Sequence, residues 1–189
     1  MDWATLLMKK IRISYSLISL WEKGDTQGVI DTYFHVDKKA SRQMEEGKKF
    51  HQEIADHLTK FNLLPSYIQF GGKFTVPKPE QELIVDYSEI ATIKGVIDCL
   101  DEPNLYEFKT GVTDSLEWSR TQQIPLYFLI CELAKVNVDT AYLIRYNQYA
   151  KETDYTIIHN NKRLVEQARN VVDTVSPEIH KFFMDQGLL

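Results

Sequence analysis

The sequence predicts an α/β fold in which a central mixed β-sheet is flanked by helices. Its β-rich segments are grouped in the middle of the chain, and amphipathic helical segments precede, interrupt and follow them. Strands that are grouped and then interrupted by helices are typical of a sheet with helices packed against it. The 189 residues, 43% of them hydrophobic and 26% charged, contain no linker-like tract and predict one domain over residues 1–189.

The first predicted helix runs from Ser41, a good N-cap residue, to about Asn62. Its apolar residues recur at helical spacing, at Phe50, Ile54, Leu58 and Phe61.

Three strands are predicted between Pro65 and Asp101, because β-rich runs at residues 67–76, 82–87 and 92–100 are separated by Pro, Gly, Ser and acidic residues. A meander is the simplest arrangement for them. A fourth strand is predicted at residues 104–110, where Gly111 supplies the turn that ends it.

The second half of the chain begins with Asp114 and Glu117, which resemble a capping box and predict a helix to about Lys135. Pro125 lies inside that helix and predicts a kink near residues 121–125, or a helix that restarts there, because proline lacks a backbone donor.

Two strands follow at residues 140–147 and 154–159, and then a final helix that we expect Pro177 to interrupt. The predicted inner face of this helix consists of Leu164, Val165, Ala168, Val171, Val172 and Val175.

Composition excludes several classes of protein. The longest apolar stretch, at residues 124–134, is too short to span a bilayer, and the first ten residues do not have the charge order of a secretory signal. We therefore expect an intracellular, cytoplasmic protein, or one in the host cytoplasm if it is phage-encoded.

Cys99 and Cys131 are too few for a disulfide framework or a four-thiolate metal site, and we expect buried, reduced thiols.

The net charge of −5 argues against a protein that coats nucleic acid through bulk positive charge. A local basic path is still conceivable, although a solvated helix face is the favoured interpretation of both clusters. The clusters are Lys38, Lys39, Arg42, Lys48 and Lys49, and Lys9, Lys10 and Arg12.

The segment "LYEFKTG" contains the first candidate site residues. Side chains two apart in a strand share a face, so Glu107 and Lys109 point the same way. A carboxylate beside an ammonium group can bind a metal ion and orient water. An ion pair at the rim of a sheet explains the same pattern and, for this motif alone, is the favoured alternative.

Asp98 ends the apolar run that precedes this strand, and a hairpin would bring it near Glu107. Two carboxylates at close range repel each other unless a cation lies between them, which indicates a hard divalent ion with oxygen ligands. A turn residue at a strand end is the alternative for Asp98 alone.

Three further residues lie on helices. His51 falls on the apolar side of its helix, one turn after Gly47, a glycine that predicts close approach of another backbone. Gln123 and Tyr127 lie one turn apart on the helix after the Glu107 strand, on the same stripe as Arg120. Each of these residues alone is also explained by ordinary core packing.

The order of these signals carries more information than any one of them. Gly47 to His51, "GVID" ending at Asp98, "EFK" at residues 107–109 and "QIPLY" at residues 123–127 resemble the motifs of the PD-(D/E)XK nuclease superfamily, RecB-type exonuclease branch. The segment "ISYSLISLWEKG" at residues 13–24 is also similar to the N-terminal segment of that branch.

The resemblance implies a restriction-endonuclease-like core and a Mg²⁺- or Mn²⁺-dependent deoxyribonuclease, with an exonuclease favoured. It implies that His51, Asp98 and Glu107 bind the metal with the carbonyl of Phe108, and that Lys109 orients water or stabilises charge. Gln123, Tyr127 and Arg120 would position the substrate.

Two features depart from the branch: the chain lacks the four cysteines of its iron-sulfur members, and Pro125 lies inside the Q-x-x-x-Y motif. We therefore expect no iron-sulfur cluster.

The implied partner is single- or double-stranded DNA, with a helicase or recombination partner or a homo-oligomer as further possibilities, in phage replication, repair or defence. A catalytically silent nucleic-acid-binding or assembly module and a metabolic enzyme with a chance E-x-K motif stay open as alternatives.

Overall fold

A computed structural model describes residues 10–36 and 41–189. Its helices and strands, in chain order, are β1 (Ile11–Ile13), α1 (Tyr15–Glu22), α2 (Thr26–Tyr33), α3 (Arg42–Phe61), β2 (Lys78–Asp86), β3 (Ala91–Asp101), β4 (Asn104–Thr110), α4 (Ser115–Ser119), α5 (Gln123–Ala134), β5 (Thr140–Asn147), β6 (Glu152–His159) and α6 (Lys162–Asp185).

The strands form one mixed sheet in the order β1-β3-β4-β5-β6, with β2 paired to β3 outside this path. β1 is parallel to β3 and β4 is parallel to β5, whereas the other pairs are antiparallel. The predicted α/β architecture with a mixed sheet is therefore confirmed.

Strand β3 is divided along one of its edges. β2 pairs with residues 92–100 of β3, so β1 at residues 91–93 and β4 at residues 99–101 both lie along the opposite edge. Between them, residues 94–98 have no strand partner on that edge among the described strands. The sheet opens at this point, and the open stretch ends at Asp98.

The pairing of β2 and β3 is also irregular at Asp98. Regular pairing from Lys78 to Asp86 omits only Glu80 and the facing Asp98. Glu80 has a φ of 50°, in the left-handed region that non-glycine residues seldom adopt. Such local distortion re-aims a side chain, and here it lies beside the candidate site.

Helices pack against the sheet as two hydrophobic cores. The larger core contains apolar side chains of α1, α2, α5 and α6, and the smaller core contains Phe50, Ile54 and Leu58 of α3. In β4, Leu105 belongs to the larger core and Phe108 to the smaller one. Cys99 and Cys131 are buried and unpaired, as predicted.

The strand predicted at residues 67–76 is wrong. Its end is fixed by a side chain instead of a strand ladder, since the backbone N–H groups of Thr75 and Val76 donate to Asp101, each over 2.7 Å. Phe70 and Phe74 of this segment pack against the smaller core. The segment is thus an ordered connection that only resembles a strand in composition.

Three elements before residue 36 were not predicted. Arg12, interpreted as part of a solvated helix face, lies in β1, and Lys10 precedes that strand and pairs with Asp86. Among the other members of the two basic clusters, Arg42, Lys48 and Lys49 lie in α3. Lys9, Lys38 and Lys39 lie outside the described residues.

Pro125 has the predicted effect. The helix that begins after Asp114 ends at Ser119, and a new helix begins at Gln123, which places Pro125 in its first turn. A missing backbone donor costs nothing there, because the first N–H groups of a helix have no intrahelical partner. Asp114 caps the first helix by accepting a hydrogen bond from the Glu117 N–H.

The predicted interruption at Pro177 is wrong, since α6 continues through it to Asp185. Pro177 lies on the exposed side, and the apolar face continues past it with buried Ile179 and Phe183. The carbonyl that Pro177 leaves without a donor belongs to Asp173, which is also exposed to water. Packing of the inner face therefore outweighs the lost hydrogen bond.

No helix in the described ranges is both long and apolar enough to cross a membrane.

Candidate active site

Asp98 links β3 to β4 just beyond their last regular pair. Cys99 pairs with Tyr106, so Asp98 faces the Glu107 position across the hairpin. The Phe108 N–H donates to Oδ2 of Asp98 over 2.7 Å, where a regular hairpin would use a backbone carbonyl. The carboxylate thereby holds the two strands at a fixed spacing at the point where they diverge.

The other Asp98 oxygen contacts helix α3. Nδ1 of His51 lies 3.1 Å from Oδ1 of Asp98, and the His51 side chain is 30% exposed. Burial lowers the pKa of His51, but the hydrogen bond and charge of Asp98 outweigh burial and raise it. The structure thus brings together two residues that are 47 positions apart in the chain.

Glu107 is the most deeply buried charged group of the site, at 2% exposure. Its Oε1 accepts hydrogen bonds from Nζ of Lys109 at 2.5 Å and from Nε2 of Gln123 at 2.6 Å. Its Oε2 is buried without a hydrogen-bond partner. Burial and the nearby charge of Asp98 raise the pKa of Glu107.

Lys109 lies between this carboxylate and an aromatic ring. Its Nζ is 5.2 Å from the centre of the Trp118 ring, close enough for a cation–π contact. Burial lowers the pKa of Lys109, but the charges of Glu107 and Asp98 outweigh burial and raise it. The ammonium group is therefore held charged beside Glu107, on the face predicted from the E-x-K spacing.

Helix α5 supports the site through Gln123 and Tyr127. Nε2 of Gln123 donates to Glu107 and also to the Tyr127 hydroxyl, at 2.9 Å. The Tyr127 hydroxyl in turn donates to the carbonyl of Val96 over 2.6 Å. This chain of contacts joins the Glu107 carboxylate to the open stretch of β3, and Pro125 does not prevent it.

Gly95 is explained by the same helix. A Cβ atom at Gly95 would lie 2.8 Å from Cδ1 of Ile130 and 3.1 Å from the ring of Tyr127. The glycine of the "GVID" motif thus allows α5 to approach β3 closely. Close packing does not explain Gly47, where an added Cβ would meet no described atom within 4 Å, so that prediction is wrong.

A cavity of about 400 Å³ opens beside these residues. Its lining includes Asp98, Glu107 and Gln123, together with Arg12, Tyr15 and Lys94. The last three were not assigned to the site from the sequence. Arg12 and Tyr15 belong to the N-terminal segment, and the pairing of β1 with β3 brings them to the cavity.

Solved structures of exonucleases share this architecture. The alkaline exonuclease LHK-Exo from Laribacter hongkongensis has a TM-score of 0.56 at 9% identity, over 98% of this chain and 96% of its own. The chain shares the fold of this exonuclease. A phage related exonuclease from Haemophilus somnus 129PT has a TM-score of 0.56 at 11% identity, over 98% of this chain and 100% of its own. The structure of LHK-Exo in complex with dAMP has a TM-score of 0.51 at 9% identity, over 98% of this chain and 97% of its own.

At these identities the likeness is one of fold. No family model and no curated protein matches the chain. The predicted restriction-endonuclease-like core is confirmed, since the mixed sheet with flanking helices matches these exonuclease structures.

Arg120 and Phe108 have other contacts in the described structure. Arg120 lies exposed at the end of α4, outside the lining of the cavity, and its backbone N–H caps that helix. Phe108 contributes its N–H to Asp98 and its ring to the smaller core.

The metal ligands that the resemblance implies are close together but not preassembled. Within the described ranges, no group of three His, Cys, Asp or Glu side chains is already arranged to hold a metal ion. His51 contacts Asp98 directly, while Glu107 is engaged by Lys109 and Gln123 through one oxygen only. The free Oε2 of Glu107 is the atom best suited to an added cation.

Proposed function

We propose that this chain is a metal-dependent DNA nuclease that hydrolyses phosphodiester bonds, and more narrowly an exonuclease of the RecB type. The likeness of its fold to exonuclease structures supports this proposal. LHK-Exo has been crystallised with dAMP, a nucleotide that carries the phosphate group such an enzyme would handle.

One observation carries the proposal: the buried Glu107 carboxylate has one oxygen tied to Lys109 and Gln123 and the other without a partner. An ion pair that only stabilises a sheet rim would be exposed, or fully hydrogen-bonded if buried, because burying an unsatisfied charge is costly. A cation at Oε2 would remove that cost. The site is therefore better explained by metal binding than by stability.

The residues that would hold the ion are Asp98, Glu107 and His51, with the carbonyl of Phe108. Two carboxylates and a carbonyl suit the hard ion Mg²⁺, and the imidazole adds affinity for Mn²⁺. A bound divalent ion supplies Lewis-acid activation of a phosphoryl group and of water. Ligation requires a neutral imidazole, so a metal ion would compete with the proton that Asp98 favours on His51.

The chain's own groups would act around the phosphate. Lys109, fixed between Glu107 and Trp118, would donate hydrogen bonds to the attacking water or to the charged phosphoryl oxygens. Gln123 would hold the Glu107 carboxylate in orientation, and Tyr127 would hold β3 at the correct distance.

Positive side chains on the cavity wall support binding of a nucleic-acid strand. Arg12 and Lys94 line the cavity that Asp98 and Glu107 also line, although Lys94 pairs with Glu82 at 2.5 Å. A protein with a net charge of −5 needs such local positive charge to hold phosphates.

The test is cleavage of labelled DNA by purified protein with Mn²⁺ or Mg²⁺. We expect wild-type protein to cut, and Lys109→Ala and Asp98→Asn to lose about 100-fold or more of the rate, as for loss of one stabilising group in an active site. Lys78→Ala, which removes an exposed lysine paired with Glu102, is the matched control and should cut normally.

End-labelled linear and closed circular substrates, single- and double-stranded, separate the finer parts of the proposal. An exonuclease releases nucleotides from the linear DNA and leaves the circles intact. Full activity of both site variants would contradict the proposal. Metal and DNA binding by wild-type protein without cleavage would instead identify the silent nucleic-acid-binding module.

A further inference from the structure

Tyr15 is the first residue of α1 and lines the cavity of the candidate site. It follows Ser14, whose hydroxyl caps the helix by accepting a hydrogen bond from the Leu17 N–H over 3.4 Å. Its side chain is partly buried against the larger core. The Tyr15 side chain is therefore packed against the core and also borders the cavity that Asp98 and Glu107 line.

Tyr15 lines the same cavity as Asp98, Glu107 and Gln123. Among the described residues, no hydrogen bond uses its hydroxyl. The Tyr127 hydroxyl differs, because it already donates to Val96 and accepts from Gln123.

A free phenol in a cavity that Arg12 and Lys94 also line is suited to an anion. Arginine and lysine side chains can only donate hydrogen bonds, so a phosphate in this cavity would receive hydrogen bonds from them and from the phenol. The phenol is neutral, and it can therefore contact a phosphate without competing for the Asp98 and Glu107 carboxylates as another cation would.

We propose that Tyr15 is a further substrate-binding residue, whose hydroxyl donates a hydrogen bond to a phosphate oxygen of the nucleotide held in the cavity. This inference rests on the proposed function, since that function supplies the phosphate. No proton is transferred, because the phenol acts only as a donor.

The test is Tyr15→Phe, which removes one oxygen atom, compared with Tyr155→Phe as the matched control. Tyr155 is half exposed on β6 and lies outside the lining of the cavity. Three quantities are measured for each protein: the dissociation constant of dAMP by calorimetry, and kcat and KM for DNA cleavage. Melting temperatures confirm that both variants fold.

We expect Tyr15→Phe to weaken dAMP binding about 10-fold and to raise KM more than it lowers kcat, as for loss of a hydrogen bond to a charged group. Tyr155→Phe should change none of these quantities. Equal dAMP binding by wild type and Tyr15→Phe would overturn the inference, and so would absence of dAMP binding by wild type.

The two proposals fail separately. If Tyr15→Phe weakens dAMP binding but wild-type protein cuts no DNA, the nuclease function fails and the role of Tyr15 stands. If wild-type protein cuts DNA and Tyr15→Phe matches it in binding and in KM, the nuclease function stands and Tyr15 is only a packing residue.

Discussion

The Asp98 carboxylate accepts a hydrogen bond from the Phe108 N–H over 2.7 Å, at the point where β3 and β4 stop pairing. A side chain thus takes the place of a backbone acceptor. Asp98 therefore has a structural role, as the acceptor for the Phe108 N–H, and a proposed role in metal binding. Variants can separate the two roles.

Asp98→Asn keeps an acceptor for the Phe108 N–H and removes the charge, whereas Asp98→Ala removes both. We expect Asp98→Ala to lower the free energy of unfolding by about 1–3 kcal/mol, the cost of a buried donor without a partner. Asp98→Asn should lose less than half of that, while both variants lose DNA cleavage. Urea unfolding measures the difference, and equal stability of the two variants would show that the contact does not matter to the fold.

Gln123→Ala tests the support of Glu107 by α5. It removes one of the two donors to Oε1 of Glu107 and the contact to Tyr127. Loss of a group that orients a ligand typically costs about 10- to 100-fold in metal affinity or activity, and we expect an effect of that size. Mn²⁺ titration followed by tryptophan fluorescence measures it. Gln167→Ala, which removes an exposed glutamine bonded to Gln122, is the control and should bind Mn²⁺ like wild type.

Gly95→Ala tests the close approach of α5 to β3. The added methyl group would lie 2.8 Å from Cδ1 of Ile130, and overpacking of this kind costs about 1–3 kcal/mol. Shortening the neighbour in the double variant Gly95→Ala, Ile130→Val should restore part of the loss, because the clash involves that methyl group. Denaturant unfolding of the three variants gives the coupling energy. If the changes in unfolding free energy of the two single variants simply add in the double variant, the two side chains do not contact each other.

Asp154 gives the fold a dependence on acid pH. Burial raises the pKa of Asp154, but hydrogen bonds from Ser115 and the charge of Arg145 outweigh burial and lower it. An acid with a depressed pKa stabilises the folded state above its unfolded-state pKa, and this stabilisation is lost as pH falls through the folded-state value. We therefore expect Asp154→Asn to be less stable than wild type at neutral pH, with a gap that closes in acid.

Urea midpoints at about pH 7 and about pH 3 measure that gap, since the window follows from the depressed pKa. Asp86→Asn serves as the control, because Asp86 pairs with Lys10 at an exposed site. A gap for Asp154→Asn that does not change with pH would contradict the assignment.

Local patterns predicted which helices and strands carry the central residues of the candidate site. His51, Asp98, Glu107 and Gln123 each lie in a helix or strand whose period is visible in the sequence, and the structure brings the four together. Their roles as ligands and supports stay predictions until the variants are measured.

Long-range contacts explain what was missed. Arg12 and Tyr15 reach the cavity only because the three residues of β1 pair with β3, some 80 positions later, and so short a strand has no visible period. The end of the connection at residues 67–76 is fixed by Asp101, 25 and 26 positions after the two residues that donate to it. Pro177 is tolerated because the apolar face of α6 continues past it.

The most direct test of the central claim is the position of Mn²⁺ in crystals of the wild-type protein, located by anomalous diffraction. The account predicts a single strong peak within coordination distance of Oε2 of Glu107 and of a carboxylate oxygen of Asp98, and no such peak in Glu107→Gln. An ion bound elsewhere, or one that persists unchanged in Glu107→Gln, would contradict it.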